Sequence, residues 1–299
     1  MDSPNPIVNL GDLAKPATVL IEKISDAIGG IYRPYQIRKV AEAEADAERI
    51  RAVTQIEITD LQRRAMTRFI TEEAKKQSNI ESITTRALPQ VTEDAKPQDI
   101  EDDWVTHFFD RGRLISDADM QKLWAKILAG QANAPGSYTK RTIDILANLE
   151  KDDAITFAKL CGFAFKLDDL IPLVYKLDHK IYNEQGIDFG SLSHLESLGL
   201  IHFDAIATYA RTGLRHEGHM LYFETPVWIG FKTPAPNEME VGHVLLTHAG
   251  KELAPVGDAK PVDGFVDYVR DHWKAKGYRI EPETQEPSPD NPQAETPMP

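Results

Sequence analysis

Ala41-Glu42-Ala43-Glu44-Ala45-Asp46-Ala47-Glu48-Arg49 sits inside a run from Gln36 to Thr85 that contains neither Gly nor Pro. Ala, Glu and Arg are strong helix formers, and Ile50, Val53, Ile56 or Ile58, Leu61, Ala65, Phe69 and Ile80 carry a helical spacing onward. The pattern predicts one unbroken helix of about fifty residues. Charge nearly cancels along it, with nine bases against eight acids between Gln36 and Ile80. An apolar edge of that length has no cover within its own helix, so Ile50, Val53, Leu61 and Phe69 are the predicted oligomer interface. The heptad is too irregular to fix the oligomer's order.

Toward the N-terminus, Leu20, Ile21, Ile24, Ile28 and Ile31 recur at three- and four-residue steps and predict an amphipathic helix over residues 17–31. Gly29-Gly30 and Pro34 break it. Its polar face carries Glu22 and Asp26 against Lys23, which favours packing on the long helix over lying on a membrane through residues 17–35.

Toward the C-terminus, Pro89–Pro97 reads as a linker and Glu101-Asp102-Asp103 as a solvated helix start favoured by the helix dipole. Trp104, Phe108 and Phe109 share a helical face. Asp117 is a candidate N-cap for a helix carrying Met120, Leu123, Trp124, Ile127 and Leu128, with Gly130 as its C-cap. Thr139 caps a helix through Leu149, and Asp152-Asp153 opens another through Cys161. These helices predict a central bundle over residues 98–168. Ser191–Leu198 then reads as a short helix ended by Gly199, Met220–Phe231 as a strand and Val241–Leu246 as a second strand. Thr247 caps a helix to Leu253, and Phe265, Tyr268, Val269 and Trp273 mark a last helix. The helix–strand–strand–helix order over 169–278 predicts a winged-helix-like domain, with Arg211 and Arg215 on its wing. Residues 279–299 hold six prolines and five acids, and read as a disordered tail. The expected fold class is therefore mainly α: a long N-terminal region (1–88), a helical bundle, a winged-helix-like α+β domain and the tail.

Composition narrows the function. The chain has 299 residues, 41% hydrophobic and 27% charged, as an ordinary globular protein has. Its net charge of -13 disfavours nucleic acid and anionic lipid. The candidate recognition helix 191–198 holds no Lys or Arg, so it lacks the usual phosphate and guanine ligands. The single cysteine, Cys161, excludes an internal disulfide and fits a reducing compartment, and with no signal or membrane-spanning stretch the expected location is the cytoplasm. His216-Glu217-Gly218-His219 is not the helical zinc pattern, Cys161 has no neighbour that would activate a thiol, and no glycine loop could cradle phosphate. No catalytic, metal or cofactor-binding residue is predicted.

The segments Asp103-Trp104, Phe108-Phe109-Asp110, Ile115-Ser116-Asp117, Leu123-Trp124-Ala125-Lys126-Ile127-Leu128-Ala129-Gly130 and Pro135-Gly136-Ser137 resemble the bacterial family known as DUF2806. The likeness covers most of residues 15–275, with Trp104, Phe108, Trp124 and Leu128 as the motif core. It implies no particular activity. Lys15-Pro16-Ala17 and Ile28-Gly29 are similar to proteins grouped with abortive infection, which implies a role in antiphage defence. The expectation is a non-enzymatic interaction protein that binds itself and another, unidentified protein. A DNA-binding regulator and a membrane-associated defence effector are the alternatives.

Overall fold

A computed structural model describes residues 14–28 and 59–281. Across them the chain is 53% helical and 16% strand, and it separates into two units, each assembled from non-contiguous segments.

Among the described residues the first unit comprises 14–28, 59–158, 194–201 and 247–258. Helix α1 (Lys15–Ile28) buries Ala17, Leu20, Ile21 and Ile24 along one stripe. It lies against the turn at Pro97–Asp99 and helix α3 (Asp102–Gly112), where the Lys23 ammonium sits 2.8 Å from Asp102. Among the described residues the cover for this stripe is thus chiefly α3 and the Pro97–Asp99 turn.

Helix α2 spans Asp60–Ala87. Its start is fixed by a capping box: the Thr59 side chain accepts from the Gln62 N–H at 3.3 Å, and the Gln62 side chain accepts from the Thr59 N–H at 2.9 Å. Thr59 itself is extended, at φ -63° and ψ 156°. A helix cannot run through that backbone, so the expected helix is not unbroken; its residues 36–58 lie outside the described residues, and the rest is a helix of 28 residues. Ala-rich propensity alone did not reveal the Thr-x-x-Gln start.

The second half of α2 buries Asn79, Ile80, Ile83, Thr84 and Ala87 against helix α4 (Ala118–Asn133). Asp117 caps α4 as its position predicts, accepting from Asp119 and Met120 at 2.9 and 3.0 Å, but α4 passes through Gly130 rather than ending there. Between α2 and α4 the polar groups satisfy one another. Gln121 donates to the Ile115 carbonyl at 2.9 Å and to Asn79, Asn79 donates to the Arg113 carbonyl at 2.8 Å, and Ser82 donates to Gln121 at 2.7 Å. Helix α5 (Lys140–Ala147) is capped by Thr139 and packs on α3; helix α6 spans Lys151–Cys161. At the exit of helix α8 (Phe189–Ser197), Gly199 takes a left-handed φ of 78°. Its carbonyl accepts the Thr247 hydroxyl at 2.7 Å, and Thr247 also caps helix α9 (His248–Leu253).

The second unit holds the strands. β1 (Ala164–Lys166) and β2 (Leu170–Pro172) precede helix α7 (Lys180–Asn183). After α8 come β3 (Ile201–Phe203), β4 (Tyr209–Leu214), β5 (Glu217–Tyr222), β6 (Thr225–Gly230), β7 (Asn237–Gly242) and β8 (Val244–Leu246). Helix α10 (Phe265–Ala275) follows. One sheet runs β2-β1-β5-β6, while β4 pairs with β7 and β3 with β8. Phe165 pairs with Ile171 and Met220 with Val227 in antiparallel register. Phe163, Phe165, Tyr182, Phe265 and Trp273 fill the core, their rings mostly tilted or edge-on.

This arrangement overturns the mainly α, winged-helix expectation: the fold is mixed α/β with several small antiparallel sheets. The predicted single strand Met220–Phe231 is a hairpin, turned at Phe223-Glu224. Its first strand, β5, pairs with β1 in a sheet shared with β2, and β1 and β2 both precede α8, whereas a wing would close on itself.

Candidate functional site

The residues predicted to carry assembly divide sharply. Ile50 and Val53 lie outside the described residues. Leu61 and Phe69 lie on the first half of α2, 68% and 63% exposed, with Met66 at 48%. From Asp60 through Phe69 every residue is exposed. Such a stretch gains nothing from packing within its own unit, and short helices without packing are marginal in water. Four-residue steps align Leu61, Ala65 and Phe69 into one ridge about 12 Å long. Arg64 and Arg68 flank the ridge on one side. Asp60 pairs with Arg64 and lies 3.8 Å from Arg63, and Glu72 lies 3.6 Å from Arg68; these exposed contacts hold side chains loosely. From Leu61 to Thr71 there are three arginines and no acid. The surface is apolar and cationic together.

The motif residues serve a different purpose. Trp104, Phe108, Trp124 and Leu128 are all buried, the last three completely. Phe108 stacks on Trp104 at 5.1 Å and leans on Trp124 at 4.9 Å, while the Trp104 indole N–H donates to the Tyr138 carbonyl at 2.7 Å. This run forms the core of the first unit.

Arg211 and Arg215 form no wing. Arg211 lies on β4, where its guanidinium meets Asp168 at 2.9 Å, and Arg215 is exposed in the turn before β5. The histidines are dispersed: His107 meets Asp144 at 2.9 Å, His194 meets Asp153 at 2.7 Å and His248 meets Glu252 at 2.8 Å. Among the described residues no group of three or more His, Cys, Asp or Glu side chains is placed to hold a metal. Burial pushes the Cys161 thiol up to about 12, which leaves it protonated and unreactive at neutral pH.

A polar cluster in the second unit was not legible in the sequence. His272 stacks on Tyr175 with ring centres 3.7 Å apart, and the Tyr175 hydroxyl accepts from the Trp273 indole at 3.0 Å. The His272 Nε2 lies 3.7 Å from Glu240, too far for a hydrogen bond, and has no other partner among the described residues. Burial pulls the imidazole below its ordinary value, with Glu240 opposing. Glu240 is itself held low: burial raises its carboxyl, but the ammonium of Lys276 outweighs this. A neutral, stacked histidine packs as an aromatic ring here. The residues are brought together from β7, α10 and the chain after β2, and no local spacing announces them.

The model of the DUF2806 family, described as a protein of unknown function, matches residues 63–270, more than two thirds of the chain. The chain belongs to that family. Neither a curated protein nor a solved structure matches it. No helix among the described residues is long and apolar enough to cross a membrane.

Proposed function

We propose that this chain acts by binding protein rather than by catalysis, and that the first half of α2 is where it meets a second copy of itself. The single observation that carries the reading is the exposure of Leu61, Met66 and Phe69 on a helix whose other half is well packed. Contiguous apolar side chains left in water on a regular helix are characteristic of an interaction surface. The buried motif core and the unreactive Cys161 support a scaffold. The acidic charge and lone cysteine favour the cytoplasm. A place in antiphage defence has the support of the likeness at Lys15–Gly29, and belongs to the same reading as an assembly event. The stripe of α1 through Leu20 and Ile24 is covered by its own unit, which weighs against a membrane role for those residues.

Sedimentation velocity of the full chain over roughly 1–100 µM, the range in which modest interfaces populate, tests the reading. The weight-average mass is expected to climb with concentration. A monomer at every concentration would remove the proposal.

A further inference from the structure

We propose that the first half of α2 docks, in a second copy, into an acidic cleft between the β5–β6 turn and the segment leading into α10, so that copies join head to tail. This deepens the self-association reading and rests on it.

The cleft has a volume of about 520 Å³, within the range of ordinary protein pockets. Phe223 and Glu224 form one wall, Pro261, Val262 and Asp263 the other, and Asp267 stands at the end. Its walls are tied together before any partner arrives. The Tyr222 hydroxyl donates to the Gly162 carbonyl at 2.8 Å and accepts the Val262 N–H at 2.6 Å. Every charged residue lining the cleft is acidic; the base that approaches is Arg270, 3.7 Å from Asp267 one turn along α10.

Phe223 is the second observation. It turns the hairpin at φ 52°, a left-handed backbone that bulky side chains rarely take and that Asn or Gly would occupy freely. The ring is nevertheless 39% exposed. A strained position that holds an aromatic ring at the mouth of a cleft is the kind of feature kept for contact with a partner.

The α2 ridge supplies the complement. Leu61, Ala65 and Phe69 match the apolar walls, and Arg64 and Arg68, which flank the ridge, match the carboxylates of Glu224, Asp263 and Asp267. An arginine flanking Phe69 can stack on Phe223 while it pairs with a carboxylate. Pairing of one α2 with another is the competing geometry. Two such helices crossing at Ala65 bring Arg64 and Arg68 of both copies together, with only the exposed, loosely held Asp60 and Glu72 beside them to offset the charge. The cleft removes that repulsion. Because ridge and cleft are different surfaces, the contact is heterologous and repeats until it closes a ring or grows a chain.

The test uses two full-length variants whose changes are all exposed charges: Glu224→Lys/Asp263→Lys/Asp267→Lys in the cleft and Arg64→Glu/Arg68→Glu beside the ridge. Each alone is expected to weaken association roughly tenfold or more. Mixed in equal amounts they are expected to recover it, because acidic ridge then meets basic cleft and the native ridge meets the native cleft. Phe223→Asn relieves the backbone, so it should hold or raise the melting temperature while weakening association. If the cleft variant associates like the parent while loss of Leu61 and Phe69 abolishes assembly, the cleft is wrong and self-association stands. Failure of the mixture to recover overturns the cleft as well. A parent chain that never associates overturns both.

Discussion

Replacing Leu61 and Phe69 together with alanine separates assembly from folding in a single variant. Full burial of a Leu or Phe side chain is worth about 1.5–3 kcal/mol relative to exposure. With 68% and 63% of these residues still in water, about two thirds of that gain is available to an interface. The pair is worth about 3 kcal/mol per contact, and about 2 kcal/mol once the retained alanine methyls are subtracted. Each 1.4 kcal/mol is a factor of ten in Kd, so association should weaken about thirtyfold. The isolated chain should barely respond, because exposed substitutions fall within about ±0.5 kcal/mol and alanine is a good helix former. Sedimentation velocity gives the Kd, and thermal melting at low concentration gives the stability. A Kd changed by less than about threefold would refute the reasoning, since about 2 kcal/mol cannot vanish into that range. So would a melting temperature lowered by several degrees, which would show that the two side chains are covered by their own chain.

Three further outcomes follow from the second unit and its boundary. Gly242→Ala places a Cβ 2.0 Å from the Val174 carbonyl at a φ of 98°, so it should cost at least ~3 kcal/mol and lower the melting temperature by about 6–12 °C; an unchanged melt would contradict the close approach. The Cys161 thiol, buried and held protonated, should react with an aromatic disulfide reagent at pH 8 only after denaturation, and rapid labelling of the native chain would contradict its burial. His272 has a folded pKa below its ordinary 6.5, so the unfolded chain takes up the proton first as pH falls. Its contribution is therefore complete above about pH 6.5 and is lost below it. The parent should lose more melting temperature between pH 7.5 and 5.5 than His272→Gln does, and equal losses would remove His272 as the cause.

What could be read from the chain was local. Asp117, Thr139 and Thr247 sit at helix starts because a short oxygen-bearing side chain before an apolar period satisfies free N–H groups, and that signal needs only four residues. Gly199 announced the exit of α8 by an equally local signal, a residue without a Cβ where the backbone turns left-handed. Trp104, Phe108, Trp124 and Leu128 were legible as a set, and the structure shows that the set is core. The sheets were not legible. β1 and β2 are three residues each, too short for alternation to register. The β5–β6 turn carries Phe-Glu where the rules for tight hairpins expect Asn or Gly, so two strands read as one. Sheet order depends on contacts far apart in sequence: Lys166 pairs with Leu221 across fifty-odd intervening residues. The same distance hid the cleft, whose walls come from residues 222–225 and 261–267. The exposed half of α2 was partly visible: Leu61 and Phe69 stood out by spacing, but the break at Thr59 was masked by strong helix formers on its N-terminal side.

Hydrogen–deuterium exchange of the backbone amides from Arg64 to Thr71, followed as the full chain is diluted, reports directly on whether another copy covers this part of α2. Protection there should rise with concentration while the amides of α4 around Trp124 stay protected throughout. Exchange that is fast at every concentration, or protection that does not change on dilution, would contradict a surface shared between copies.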